Sequence, residues 1–272
     1  AATKYPYIYL YNSSSFFSSI YLNMKQLFVF LAMVASLCAC QSKDSHSQEE
    51  PKNKTANETS KTLRKESVIG SYVGLFGEDP DENNKITLLI NYIDEKKVKG
   101  SSIVGGNDRP FEGRYTFKGD GLLEIEANEP GDNPYDGHFS ITANLNQPDK
   151  ISGTWKPFKN NTTPKSYTLL RRKFVYDPSV GAYPEASQRL LETAEVENLM
   201  KEDLSYMRNE IFARHGYCFQ NKEWRQKFQG FEWYVPNSVS IKDMLTATEK
   251  KNIALIKRYE EYAQEYGDEF GR

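Results

Sequence analysis

Cysteine is scarce in this chain. There are three, Cys38, Cys40 and Cys218, among 272 residues, which is too few for a disulfide framework to supply the stability. The histidines are as few, and His46, His138 and His215 come from three separate segments. No Ser-His-Asp set, no Cys-His pair and no metal-ligand spacing stands out, so the sequence offers no catalytic residues, no metal site and no cofactor motif. An excess of either charge is also missing. Lys and Arg number 35 against 37 Asp and Glu, for a net charge of −2. That balance leaves no electrostatic footprint for nucleic acid and little attraction to anionic headgroups. Long apolar runs are absent but for Leu27 to Leu37, which is too short to span a bilayer and stay there.

That one run carries a meaning. Lys25 gives it a positive start, and small Ala39 precedes Cys40 at its end, the layout of a secretory signal. The Leu37-Cys38-Ala39-Cys40 sequence resembles a bacterial lipobox. The resemblance implies cleavage before Cys40 and attachment of acyl chains, palmitate among them, to that cysteine. Residues 1–23 are rich in Tyr, Ser and Phe and read as translated upstream sequence, with Met24 as the start. Gln41 rather than Asp follows Cys40, which resembles outer-membrane sorting. Lys43-Asp44 echoes the surface-export signals of Bacteroidetes lipoproteins. The periplasmic and outward-facing orientations both stay open. Cys38 leaves with residues 1–39, so Cys218, between Tyr217 and Phe219, has no intrachain partner and is expected to be buried.

Residues 40–66 hold the lipid-bearing cysteine and a polar tether with one large apolar residue, Leu63. Such a segment cannot offset its own ordering entropy. As a flexible coil it spans on the order of 25–30 Å.

Residues 67–176 alternate in the period of a strand. Ile86, Leu88, Ile90 and Tyr92 fall on one face, with Thr87 and Asn91 on the other. Turn residues at Asp94-Glu95-Lys96, Gly119-Asp120-Gly121, Pro130-Gly131-Asp132 and Pro148-Asp149 divide the region into about eight short strands. Short links predict an antiparallel meander. Gly70, Gly113, Gly137 and Gly153 each precede an aromatic by two residues, as strongly bent strands of a small barrel require. Tyr72, Tyr115, Phe139 and Trp155 either fill that barrel or line a small ligand space. Glu129, Asp132 and Asp136 supply oxygens without a recognised cation-ligand spacing, and the Pro130-Gly131 turn accounts for them.

Residues 177–186 read as a linker, and the pattern beyond is helical over 187–272. Leu204, Met207, Ile211 and His215 recur at helical spacing, and Gly216 is the stop. Asn221 to Phe228 is a short helix. Thr246-Ala247-Thr248-Glu249 is a capping box that opens a longer helix, with Ile253, Ile256, Tyr259 and Ala263 on one stripe. An α+β chain of a barrel-like domain followed by a small helical domain is the predicted fold class.

The run from Met207 to Phe219, with Phe212-Ala213-Arg214-His215-Gly216 at its centre, resembles the core motif of the YARHG domain. Trp233-Tyr234-Val235-Pro236 is similar to that family's later aromatic motif. Phe212 stands where the family has Tyr, and Met200 where a Ser usually caps the helix. The family implies an extracytoplasmic place and a helical fold but no reaction. Arg208, Glu210, Arg214 and His215 lie within two turns of one helix, with Glu210 and Arg214 an i, i+4 pair. They read either as a framework pinning the helix to the aromatic connector, Trp233 and Tyr234 included, or as a recognition site. The expected role is that of an outer-membrane lipoprotein, a binding or interaction module for a glycan, peptidoglycan or an envelope protein. The alternative is an envelope hydrolase using His215 and Glu210.

Overall fold

A computed structural model describes residues 65–266 apart from residues 78 and 80–82. The signal segment, Cys40 and the tether through residue 64 lie outside the described residues.

Eight strands follow one another in sequence order: β1 (Gly70–Phe76), β2 (Asn84–Ile93), β3 (Val98–Val104), β4 (Asn107–Gly119), β5 (Leu122–Asn128), β6 (Gly137–Asn144), β7 (Lys150–Pro157) and β8 (Lys165–Arg171). Each pairs antiparallel with the next, and β8 returns to β1 to close a barrel. Closure removes the free edge that an open sheet would offer to another strand. The hairpin turns follow the residues read as turns. Asp94 Oδ1 accepts from the backbone N–H groups of Lys96 and Lys97, each at 2.7 Å, and fixes the β2–β3 connection.

Ile86, Leu88 and Ile90 face inward and are fully buried. Tyr92, expected beside them, is exposed instead. A register shift between Ile90 and Tyr92 marks a bulge. One extra residue reverses the faces, so Ile93 takes the inward position. Thr87 faces outward yet is 3 % exposed, because its hydroxyl donates to the Pro236 carbonyl of the helical region.

The barrel interior is filled by side chains, with Tyr72, Leu88, Phe111, Ile125, Phe139 and Leu169 among them. The Phe111 and Phe139 rings lie 5.5 Å apart. Glycine makes the room. A Cβ on Gly153 would stand 2.8 Å from the Tyr167 hydroxyl, and one on Gly137 would stand 2.6 Å from the Trp155 indole. One end is closed by Val68, fully buried. There the Tyr72 hydroxyl reaches the Val68 and Pro148 carbonyls at 2.9 Å each and accepts from Arg171 Nη2 at 2.7 Å. Toward the opposite end the Glu129 carboxylate accepts from the Gly137 N–H, Trp155 Nε1 and Ser102 Oγ at 2.8, 3.1 and 3.2 Å. Burial raises its pKa against those three donors, and neighbouring Asp136 adds to the rise. Among the described residues no three His, Cys, Asp or Glu converge as a metal site would need.

The helical region holds α1 (Glu185–Gln188), a 3-10 turn (Thr193–Glu195), α2 (Lys201–Arg214), α3 (Lys222–Gln229) and α4 (Ala247–Tyr266). Helix α2 begins at Met200 without a side-chain cap. Glu202 and Asp203 in its first turn complement the positive helix end instead. It stops in a Schellman motif, where Tyr217 N–H donates to the Phe212 carbonyl at 3.1 Å and Gly216 N–H to the Ala213 carbonyl at 2.9 Å. Gly216 takes the left-handed conformation, φ +68°, that such a stop requires. Asn221 caps α3 through the N–H groups of Glu223 and Trp224. Leu204, Met207 and Ile211 of α2 pack with Ile256 of α4, and Ala186, Leu191 and Val196 complete that core. Phe219, Phe228 and Tyr234 form a second, aromatic core.

The helical region touches the outer wall of the barrel along β2 and the β3–β4 turn. Lys85 Nζ donates to the Phe231 carbonyl at 2.6 Å, Arg225 Nε to Asn84 Oδ1 at 2.7 Å, and Gly106 N–H to Cys218 Sγ at 3.2 Å. Cys218 is buried, and burial raises its thiol pKa above the usual value.

Candidate functional site: a buried polar cluster beside an open groove

The centre of the motif helix is a buried ion pair. Arg214 Nη2 donates to Glu210 Oε2 at 2.6 Å, with neither side chain exposed. Burying two charges costs several kcal/mol per ion unless every remaining donor and acceptor is used. The segment 176–187 supplies those partners. Arg214 Nε donates to the Val180 carbonyl at 2.8 Å and Nη1 to Ser187 Oγ at 3.0 Å. Glu210 accepts from the N–H groups of Ala182 and Tyr183 at 2.7 and 2.8 Å. Gly181 is folded against that carboxylate with φ +98°, and a Cβ there would stand 2.4 Å from the Glu210 carboxyl carbon. The segment read as a linker is thus the strap that receives the motif side chains.

His215 belongs to a second buried pair. Its Nε2 lies 2.7 Å from Glu249 Oε2, and its ring stacks on Tyr176 with centroids 4.4 Å apart. The Tyr176 hydroxyl donates to Glu249 Oε1 at 3.1 Å. Glu249 also completes the predicted capping box, accepting from Thr246 N–H at 2.9 Å while its own N–H donates to Thr246 Oγ1 at 3.1 Å. Burial alone would raise the Glu249 pKa. Hydrogen bonds from His215, Thr246 and Ser187 outweigh it and hold the carboxyl at about 2. Burial and the Glu249 charge push the Tyr176 phenol up to about 12, while burial lowers the Arg214 guanidinium. Asn252 extends the pattern. It donates to the Ala186 and Arg189 carbonyls at 2.8 and 2.6 Å and accepts from Leu191 N–H at 2.9 Å.

The six residues singled out in the sequence therefore separate. Glu210, Arg214 and His215 share the buried cluster. Arg208 points elsewhere, pairing through Nε and Nη2 with Glu260 of α4 at 2.8 and 3.0 Å. Trp233 and Tyr234 lie in the aromatic core around Phe228. The cluster is pinned to the strap and to α4, not to the aromatic connector as expected. The connector is instead tied by Tyr234 Oη to the Tyr217 carbonyl at 2.8 Å and by Asn237 N–H to the Gly216 carbonyl at 2.7 Å. His215 and Glu210, the pair named for a hydrolase, have separate partners. Tyr176, Val180, Ser187 and Glu249 carry half of the cluster and were not marked as site residues. Only Glu249 left a local signal, its capping box.

On the far side of Phe212 the surface opens into a groove of about 800 Å³. Phe212 of α2 and Trp224 of α3 line it, together with residues 217 and 219–221 of one segment and 239–242 and 245 of another. Those segments are joined by Cys218 N–H donating to the Ser238 carbonyl at 2.8 Å and by a parallel bridge between Tyr217 and Ser238. Phe212, Tyr217 and Trp224 are partly exposed, whereas Gln220, Asn221 and Lys242 are exposed. Apolar rings with a few polar groups converging on them are the usual composition of a ligand site.

No curated protein matches the chain. Residues 181–261, from the glycine folded against Glu210 into the last helix, match the YARHG domain.

Proposed function

We propose that this protein is a membrane-anchored lipoprotein of the cell envelope whose helical region serves as a binding or interaction module. The carrying observation is the contrast within that region. Glu210, Arg214 and His215 of the motif are buried and hydrogen-bonded within the fold, while the adjoining groove is open and lined by aromatic, aliphatic and amide groups. Buried, mutually satisfied polar groups stabilise and specify a fold. Recognition then falls to the groove. The lipobox-like sequence at Cys40 supports the anchor, since attached acyl chains contribute about 0.8 kcal/mol per buried CH₂. The polar tether supports presentation of the folded part away from the bilayer.

Two measurements test this. Metabolic palmitate labelling should mark the wild type and vanish in Cys40→Ala, and persistence of label in the variant defeats the anchor. A glycan and peptidoglycan array probed with residues 65–272, beside an array of envelope proteins, should give a ligand whose binding is lost on changing groove residues. Binding that survives those changes removes the groove from the account.

A further inference from the structure

The N-terminal segment joins the barrel at the start of β1, so a pull on that segment acts on Gly70 first. β1 is held on two sides. It is matched to β2 at every residue from Gly70 to Phe76, but to β8 at Tyr72, Val73 and Phe76 alone. Antiparallel hydrogen bonds run across the strands, so a pull on one end of a strand breaks them in turn. The seam with β8 is the side on which β1 would peel away and the closed barrel would open.

Arg171, the last residue of β8, stands at that fork. Its Nη2 donates to the Ser67 carbonyl at 2.5 Å, to the Tyr72 hydroxyl at 2.7 Å and to the Pro148 carbonyl at 2.9 Å. Nη1 donates to the Ile69 carbonyl at 2.7 Å, and Nε pairs with Asp149 Oδ1 at 2.9 Å. The guanidinium also lies over the Tyr72 ring, 4.9 Å from its centroid. One side chain thus grips the stretch 67–72 and the β6–β7 turn together. The planar fork of arginine donors makes this possible, where a lysine ammonium is a single point. Gly70 leaves the room, since a Cβ there would stand 2.1 Å from Nη1.

We propose that Arg171 is a mechanical clasp, which keeps β1 seated in the barrel when the segment leading to Cys40 comes under tension. The tension presupposes the anchored binding module proposed above; the clasp does not. Its bonds are charge-assisted, and so stronger than the neutral backbone pairs that follow along β1. They also gather at one point, where they yield together instead of one by one. The helical region does not share this task. Its hydrogen bonds with Asn84, Lys85 and Thr87 lie opposite residues 73–76 of β1, away from the fork.

The experiment stretches the full chain in optical tweezers at constant force, with two placements of the handles. In the first, one handle is at the N-terminal end and the other on a tag inserted after Asp120, exposed in the β4–β5 turn, a kind of site that tolerates insertion. In the second, the handles are on tags after Asp120 and after Asn160, exposed in the β7–β8 turn, so the N-terminal segment carries no load. Forced opening reads the unfolding rate. Arg171→Lys should speed opening of the barrel about tenfold or more in the first placement, the factor that one lost hydrogen bond to a charged group is worth, and far less in the second. Tyr72→Phe removes the hydroxyl that Arg171 grips and keeps the ring. It should act in the same direction with a smaller factor, and it decides the matter should Arg171→Lys not fold. Equal acceleration in both placements makes Arg171 an ordinary stabilising residue and overturns the inference, as does an unchanged rate in the first. No lipid enters this experiment. Loss of palmitate labelling in the wild type would therefore remove the anchor and leave the clasp, and equal rates beside confirmed labelling would remove the clasp and leave the anchor.

Discussion

His215 Nε2 and Glu249 Oε2 are 2.7 Å apart in the core, which joins the end of α2 to the first turn of α4. The same carboxylate caps α4 and receives the Tyr176 hydroxyl. One side chain thus ties together three stretches of chain: the strap, the motif helix and the last helix.

The first prediction follows from that convergence. Glu249→Gln keeps the shape but removes the charge that His215, Tyr176, Thr246 and Ser187 share. It should cost roughly 2–3 kcal/mol in urea unfolding, the scale of hydrogen bonds to a charged group. Stability should also respond to pH. The Glu249 carboxyl is held at about 2 in the folded chain against 4.5 in the reference state. Its contribution is complete above the unfolded value and is lost as pH falls from about 4.5 toward 2. The wild type should weaken across that window, and Glu249→Gln should weaken less steeply. Parallel slopes in both proteins would contradict the assignment.

Gly181 is the second test. Its φ of +98° and the 2.4 Å approach of the Glu210 carboxyl carbon to any added Cβ leave no place for a side chain. Gly181→Ala should destabilise by about 1–3 kcal/mol through backbone strain and displacement of the strap. A thermal melt reads it, and an unchanged midpoint would show that the strap does not depend on this turn.

Cys218 reports on the contact between barrel and helices. Its thiol accepts the Gly106 N–H, and burial raises its pKa, so little thiolate is present at neutral pH. Alkylation of the Cys218 peptide, followed by mass spectrometry, should be slow in the native protein. Thr87→Asp should speed it, because that change places a carboxylate against the Pro236 carbonyl at the seam. Equally slow alkylation in the variant would mean that the seam does not protect the thiol.

Much of the barrel was legible because strand alternation and turn residues are local signals. Ile86, Leu88 and Ile90 show their faces in the sequence alone. Tyr92 does not, because a bulge leaves no mark in the alternation. Thr87 reads as an outer residue and is one; that a helical region covers it depends on contacts nearly 150 positions away. The same limit applies to the cluster. The Glu210–Arg214 pair is visible at i, i+4 spacing, and the capping box at Thr246 and Glu249 is visible at i, i+3. Their partners Val180, Ala182 and Tyr183 act through backbone atoms, which carry no side-chain signature. Ser187 and Tyr176 sit in a stretch whose composition resembles any connector.

The central claim is that the motif residues hold the fold and that recognition lies in the groove. Thermal melts of Arg214→Ala and His215→Ala beside the wild type test it most directly. Removing Arg214 leaves the Glu210 carboxylate buried without its counter-charge, at a cost of about 3–5 kcal/mol. Removing His215 takes one hydrogen bond from Glu249 and the stacking partner from Tyr176, at roughly 1–3 kcal/mol. The account predicts a lowered midpoint in both, larger for Arg214→Ala. Two unchanged midpoints would contradict it and make the cluster, not the groove, the functional surface.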